Sequence, residues 1–256
     1  MSETQHNFVA KHYAPRAAAY VSSAVHSAGA DLDQIESFVR GRADARALDL
    51  GCGGGHVSYR VAPHVREVVA CDLTPEMLAH VKRTASERGL NNIVVQQGAA
   101  ERLPFGDASF DILLCRYTAH HWRDFEAGLR EARRALKTGG RAVFADGIAP
   151  SDPLLDTHLQ AIELLRDPSH VRNYSAAEWV AALGRSGFSA TGLTARKIPL
   201  DFASWTERAR TSQTCAAAIL TLQAQASAAV RDHFAIGADG GFELDTLTIE
   251  AVAIAR

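Results

Sequence analysis

Hydrophobic and polar positions alternate between two rhythms along this chain. Short apolar runs of strand length end in glycine or a carboxylate, and longer amphipathic stretches with helical spacing separate them. Ala47 to Leu50 is such a run, broken only by Asp49, and it feeds Gly51-Cys52-Gly53-Gly54-Gly55. The pattern predicts a buried strand, a tight glycine turn and a helix opening at about His56. Glu67 to Asp72 predicts a second strand ending on a carboxylate. Thr74-Pro75-Glu76 then reads as an N-cap, a first-turn proline and a first-turn acid, opening a helix that Gly89 stops. Ile93 to Gln96, Phe110 to Cys115 and Arg141 to Ala145 predict strands three to five, with a helix from about Asp124 to Lys137 ending at Gly139-Gly140. Strands and helices alternating at this spacing predict an α/β fold on a parallel, doubly wound sheet.

The flanks follow a different rhythm. Phe8 to Ser27 carries apolar residues at helical intervals, divided by Pro15, and Asp31 is read as the N-cap of a helix reaching about Arg40. After Asp146, helices are expected over 152–166 and 175–183, an extended piece from Gly187 to Leu200, a helix from Ser204 to Val230 and a final strand from Phe242 to Ala255. No repeat or long linker separates independent domains, so 256 residues suit a single domain. Within it, 1–43 is expected to form an N-terminal helical lid, 44–146 the ligand-binding core, and 147–256 C-terminal strands with a helical substrate cap.

Composition narrows the function classes. A hydrophobic fraction of 47% with 22% charged residues is that of a soluble globular protein. A formal net charge of −2 and the absence of a basic run argue against nucleic acid as a partner. No stretch approaches the length of a membrane span, and the polar N-terminus lacks a signal-peptide pattern, so a cytoplasmic location is expected. Cys52, Cys71, Cys115 and Cys215 form no metal-like spacing and are read as small apolar residues in a reducing compartment; no metal site is expected.

Candidate chemistry lies where strands one and two end. Asp72 stands 21 residues beyond Gly51. In a right-handed βαβ unit the two strand ends lie side by side, and a carboxylate there can accept hydrogen bonds from two vicinal ribose hydroxyls. A dinucleotide site wants a third glycine where this chain has His56, so the spacing disfavours an oxidoreductase and suits S-adenosylmethionine.

The segments around Asp72 to Met77, Gly98-Ala99-Ala100-Glu101, Ser109 to Ile112 and His120-His121-Trp122 follow the glycine turn in order. Together they resemble the class I S-adenosylmethionine-dependent methyltransferases, in the branch similar to the ubiquinone and menaquinone C-methyltransferases. The resemblance implies a Rossmann-like three-layer sandwich with a seven-stranded sheet, order 3-2-1-4-5-7-6, last strand antiparallel. It implies the cofactor S-adenosyl-L-methionine, product S-adenosyl-L-homocysteine, and a methyl transfer to a carbon or oxygen nucleophile of a small-molecule acceptor. A homodimer and a non-catalytic binder of the same cofactor are the further readings.

Position by position, the resemblance places Asp49, Gly51, Cys52 and Gly53 at the methionine end of the cofactor and Asp72 on its ribose. Leu73 and Met77 would contact the adenine, Ala100 and Glu101 would border it, and the Arg116 carbonyl would lie near the amino group. Ala99 stands where the family often has an acid that binds the adenine amino group. Phe8, Tyr13 and Tyr20 form a candidate aromatic lid near the sulfonium. His120 and His121 are the candidate catalytic bases, with Tyr117, His158 and His170 as alternates.

Overall fold

The computed structural model describes residues 4–14 and 28–255. Seven strands form one sheet in the order β3-β2-β1-β4-β5-β7-β6. They are β1 (Arg42–Leu50), β2 (Val65–Asp72), β3 (Ile93–Gln97), β4 (Phe110–Arg116), β5 (Leu136–Gly147), β6 (Phe188–Leu200) and β7 (Phe242–Ala253). β1 to β5 run parallel, whereas β7 is antiparallel to both β5 and β6. This is the expected topology, including the reversed last strand.

Helices cover both faces, as a parallel sheet requires. On one face α2 (Ala30–Val39) and α3 (His56–Val61) bury Leu32, Ile35, Val39, Val57 and Val61 against Ala47, Val68 and Ile112. α4 (Pro75–Glu87) continues this layer, with Leu78 and Val81 packed near Ala70. On the other face α5 (Phe125–Ala135) and α7 (Ala176–Arg185) bury Leu129, Ala132, Trp179 and Leu183 against Leu48, Leu113 and Phe144. A third apolar cluster joins α6 (Pro153–Arg166), α8 (Phe202–Ala209), α9 (Gln213–Ala224) and α10 (Ala228–His233) to the ends of β6 and β7. α1 (Gln5–Tyr13) stands apart from these layers, its N-terminus capped by the Thr4 side chain. Among the described residues no helix is long and apolar enough to cross a membrane.

Three boundaries depart from the sequence pattern. The helix expected to reach Lys137 stops at Ala135, because Leu136 is already extended and pairs with Phe110. The helix expected from Ser204 to Val230 is three helices. Arg210, in the left-handed conformation, ends α8, and the Ser212 and Ser227 hydroxyls cap α9 and α10.

Asp31 is not the N-cap of α2; Gly29 is. Asp31 lies in the first turn, where its carboxylate accepts from Arg116 Nε at 2.6 Å and Nη2 at 3.2 Å. Both residues are 8% exposed, and the pair ties the start of α2 to the end of β4. Removing one partner of a buried pair strands the other charge. Asp31→Ala is therefore expected to lose about 3–5 kcal/mol of unfolding free energy in urea. A loss below about 1 kcal/mol would show that Arg116 finds equal compensation elsewhere.

Candidate active site

At the carboxyl edge of the sheet β1 has β2 on one side and β4 on the other, the point where chain connections diverge and open α/β sheets bind ligands. A cavity of about 220 Å³ opens there. One end is the glycine turn. Gly51 and Cys52 donate backbone N–H groups to the Cys71 carbonyl at 2.8 and 3.0 Å, fastening the turn to β2. Gly51 has φ +70°, and a Cβ there would run into the Thr118 side chain, so only glycine fits.

Two carboxylates frame this end. Asp72 Oδ2 accepts from Gly53 N at 2.9 Å and Oδ1 from Thr74 N at 2.8 Å. Burial still raises its pKa, the backbone donors pulling the other way. Asp49, 1% exposed, accepts from Ser58 N at 3.0 Å and Ser58 Oγ at 2.6 Å. Burial pushes its carboxyl up to about 7, against those two donors. A buried carboxylate in this state favours a cationic neighbour.

The cavity lining brings together Asp49, Gly51, Cys52, Gly53, Asp72, Leu73, Met77, Ala99, Ala100, Glu101, Arg116, His120 and His121. Tyr20 lies outside the described residues. Tyr13 lines the cavity; Phe8 does not, and stacks on His12 at 6.0 Å. Glu101 serves more than a border, since its carboxylate accepts from Arg123 N at 2.9 Å and pairs with His6 at 3.0 Å. His158 and His170 do not line the cavity. His158 packs on Phe234, and His170 stands behind His120 with its Nε2 3.1 Å from Gln160 Oε1. Tyr117 is in the lining, with burial raising its phenol well above the usual range.

The histidine pair divides into two roles. His120 Nδ1 lies 2.6 Å from Asp146 Oδ1, and Asp146 also accepts from the Ala119 and Gly147 amides at 3.0 and 2.9 Å. Burial works against charge on His120, but Asp146, with Glu163 and Asp167 behind it, opposes burial and the pKa is raised. His121 goes the other way: burial, with the His120 imidazole 4.2 Å away, pushes it down to about 3. It is neutral near pH 7.

His121 belongs to a network that fastens α1. The Tyr13 hydroxyl donates to Asp167 Oδ2 at 2.7 Å and, having one proton, accepts from His121 Nε2 at 2.9 Å. Ser169 Oγ donates to Asp167 Oδ1 at 2.6 Å, and His12 Nε2 stands 3.0 Å from the same oxygen. Burial alone would raise the Asp167 carboxyl, but His12 and the Ser169 donor hold it far below the carboxylate range.

In the sequence Asp146 marks only the boundary after the fifth strand. The signal that singled out Asp72, a carboxylate closing an apolar run, was also present there. Thr118, Glu163, Arg166, Asn173, Trp205 and Arg208 line the cavity without any local motif. Among the described residues no group of three His, Cys, Asp or Glu could hold a metal ion.

A family model described as "methyltransferase domain" matches residues 48–144. The uncharacterized protein YafE of Escherichia coli is 43% identical over 201 residues, covering 78% of this chain and 97% of that one. The crystal structure of YcgJ from Bacillus subtilis superposes with a TM-score of 0.85 at 36% identity, over 88% of this chain and 99% of the other. A demethylmenaquinone methyltransferase of Deinococcus radiodurans is 36% identical over 112 residues, 43% of this chain and 46% of its own length.

Two outcomes test this geometry. Tyr13→Phe removes the hydroxyl between Asp167 and His121, worth about 1.5–3 kcal/mol for a bond to a charged group. Hydrogen exchange is expected to speed up in α1 while the sheet keeps its protection; unchanged α1 protection would assign its docking to other contacts. Asp146→Asn removes the strongest opposition to burial and leaves only the more distant Glu163 and Asp167 charges, so the His120 pKa read by NMR titration is expected to fall. A pKa that stays raised would mean that Asp146 is not its partner.

Proposed function

Because the chain belongs to the methyltransferase-domain family, we propose that it transfers a methyl group from S-adenosylmethionine to a small-molecule carbon or oxygen nucleophile. The reading is supported above all by one cavity that holds the glycine turn with Asp72 at one end and, in its wall, His120 backed by Asp146. The residues fit the cofactor. The turn at Gly51 leaves backbone accessible, Asp72 is fixed to receive two ribose hydroxyls, and Asp49 favours the amino group of the methionine moiety. Leu73 and Met77 offer apolar surface to a purine. Adenine recognition at Ala99 and Ala100 falls to backbone groups.

When bound, S-adenosylmethionine supplies an electrophilic methyl carbon whose bond to sulfur breaks with its electron pair going to sulfur. The protein aligns the acceptor with that methyl group and excludes water. α1, through Val9 and Tyr13, covers the cavity, and His121 holds α1 in place. His120 is the candidate base: Asp146 holds Nδ1, leaving Nε2 to take the proton that the acceptor gives up as the new bond forms. A quinone-like acceptor is suggested by the menaquinone-pathway relative alone, and rests on that likeness.

Calorimetric titration with S-adenosylhomocysteine, with NADH run beside it, tests the cofactor. Asp72→Ala is expected to weaken binding by about 10²-fold, the value of hydrogen bonds to a charged group. The ligand's ammonium favours ionised Asp49, so binding expels a proton wherever free Asp49 is protonated. Affinity is thus expected to rise about tenfold per pH unit below pH 7 and to level off above it, with Asp49→Asn flattening the profile. Binding of NADH in place of S-adenosylhomocysteine would overturn the assignment.

A further inference from the structure

Among the described residues lining the cavity, the acids are Asp49, Asp72, Glu101 and Glu163. The first three are committed to close donors of the protein. Asp49 accepts twice from Ser58, Asp72 accepts from the Gly53 and Thr74 amides, and Glu101 accepts from the Arg123 amide and pairs with His6. Glu163 differs. It is 6% exposed, and its ion pair with Arg166 Nη1 is 3.5 Å long, beyond the roughly 3.2 Å limit of an ordinary N–H···O bond. Arg166 is fixed by other contacts as well: its Nε donates to the Trp205 carbonyl at 3.0 Å, and its guanidinium lies over the Trp205 ring at 5.0 Å. A carboxylate has room for several donors, and native structures satisfy buried polar groups. Burial raises the Glu163 pKa, with Arg166 and His120 pulling the other way, as expected of an acid short of donors.

Helical spacing puts Glu163 in the cavity wall. Asp156, Gln160 and Glu163 fall on one face of α6. Asp156 pairs with Arg172 at 2.9 Å, and Gln160 accepts from Asn173 N at 3.1 Å and donates to Asn173 O at 2.7 Å. Those two hold the loop that follows α6, and only Glu163 of the three lines the cavity. Leu159 and Ile162 anchor the same helix in the apolar cluster behind it. His120 is tied to this loop, its carbonyl accepting from Val171 N at 2.8 Å, and the Glu163 charge reaches the imidazole. The end of the cavity away from the glycine turn adds apolar wall from Ile198, Leu200 and Leu244.

We propose that this end binds the methyl acceptor and that Glu163 selects it: the acceptor is a neutral, apolar molecule bearing a hydroxyl group, whose hydrogen bond Glu163 receives. Ile198, Leu200 and Leu244 cover the apolar body. A hydroxyl bound to a carboxylate makes a stronger bond than one between neutral groups, and a molecule of the same shape without that proton leaves the acid unmatched. The word acceptor rests on the methyltransferase reading, whereas the demand for a donor is a property of the protein alone.

The test is a fluorescence titration of the full chain with paired probes, 1-naphthol and 1-fluoronaphthalene, with and without saturating S-adenosylhomocysteine. Fluorine replaces the hydroxyl at similar size and has no proton to give. The naphthol is expected to bind at least about tenfold tighter. Glu163→Gln, which keeps the shape and removes the charge, is expected to cut that preference to about threefold or less. Its affinity for 1-fluoronaphthalene is expected to move less than about twofold, whereas a structural defect would weaken both probes together. Glu163→Met, which removes the accepting oxygens, is expected to abolish the preference, and thermal unfolding shows whether each variant is folded. Equal affinity for the two probes in the wild type, or an undiminished preference in Glu163→Gln, would overturn the proposal. A naphthol preference lost in Glu163→Gln, without S-adenosylhomocysteine binding, would sink the cofactor reading and leave the donor site standing.

Discussion

The Asp72 carboxylate joins two backbone amides that belong to different parts of the chain, Gly53 in the glycine turn and Thr74 at the cap of α4. Much of the cavity depends on that clasp. Without it the turn after β1 would keep its bonds to Cys71 and its internal bond from Gly55 to Cys52, but would lose its tie to the start of α4. The same carboxylate lines the cavity, so in the proposed function the group that shapes the site is also the group that binds. Parallel strands make this economical. Their carboxyl ends gather at one edge, and an acid ending a strand finds helix and turn amides within reach.

Buried acids recur around the cavity, and their surroundings set them different tasks. Asp49 has two donors from Ser58 and is still pushed toward neutrality by burial. Asp167, with His12, Ser169 and Tyr13 around it, is ionised and structural. Asp146 accepts from two amides, and its negative charge favours a proton on the His120 imidazole. Two adjacent histidines of the same type therefore hold opposite protonation preferences, and sequence alone treats them as equivalent.

The parts legible in the sequence were those with local causes. The apolar runs and glycine turn predicted β1 and β2, and Asp72 stood out because strand order makes its neighbour the glycine turn. The contiguous family motifs carried the cofactor end, from Asp49 to Glu101. What stayed hidden depends on long-range contact. Asp31 read as a cap because an acid before an apolar stretch usually is one; its partner Arg116 lies 85 residues away. The stretch from Ser204 to Val230 is helix-forming throughout, so only the polar caps at Ser212 and Ser227 reveal its breaks. Trp205 and Arg208 share one turn of α8, but Asn173 comes from the loop between α6 and α7, and no spacing connects that loop to the helix before the chain folds.

The reversed strand β7 has a consequence for biosynthesis. Gly147 pairs with Thr246, and the Ile148 amide donates to the Asp245 carbonyl at 2.9 Å, so the far wall of the cavity is closed by residues about a hundred positions downstream. The glycine turn, Asp49 and Asp72 have their strand partners within the first 150 residues. A chain emerging from the ribosome can thus assemble first the half of the cavity that the proposed function gives to the nucleoside. The pocket opposite becomes a pocket only when β7 slots between β5 and β6. Nascent protein would pass through a stage able to hold one ligand and not the other, which separates the two halves of the site in time as well as in space.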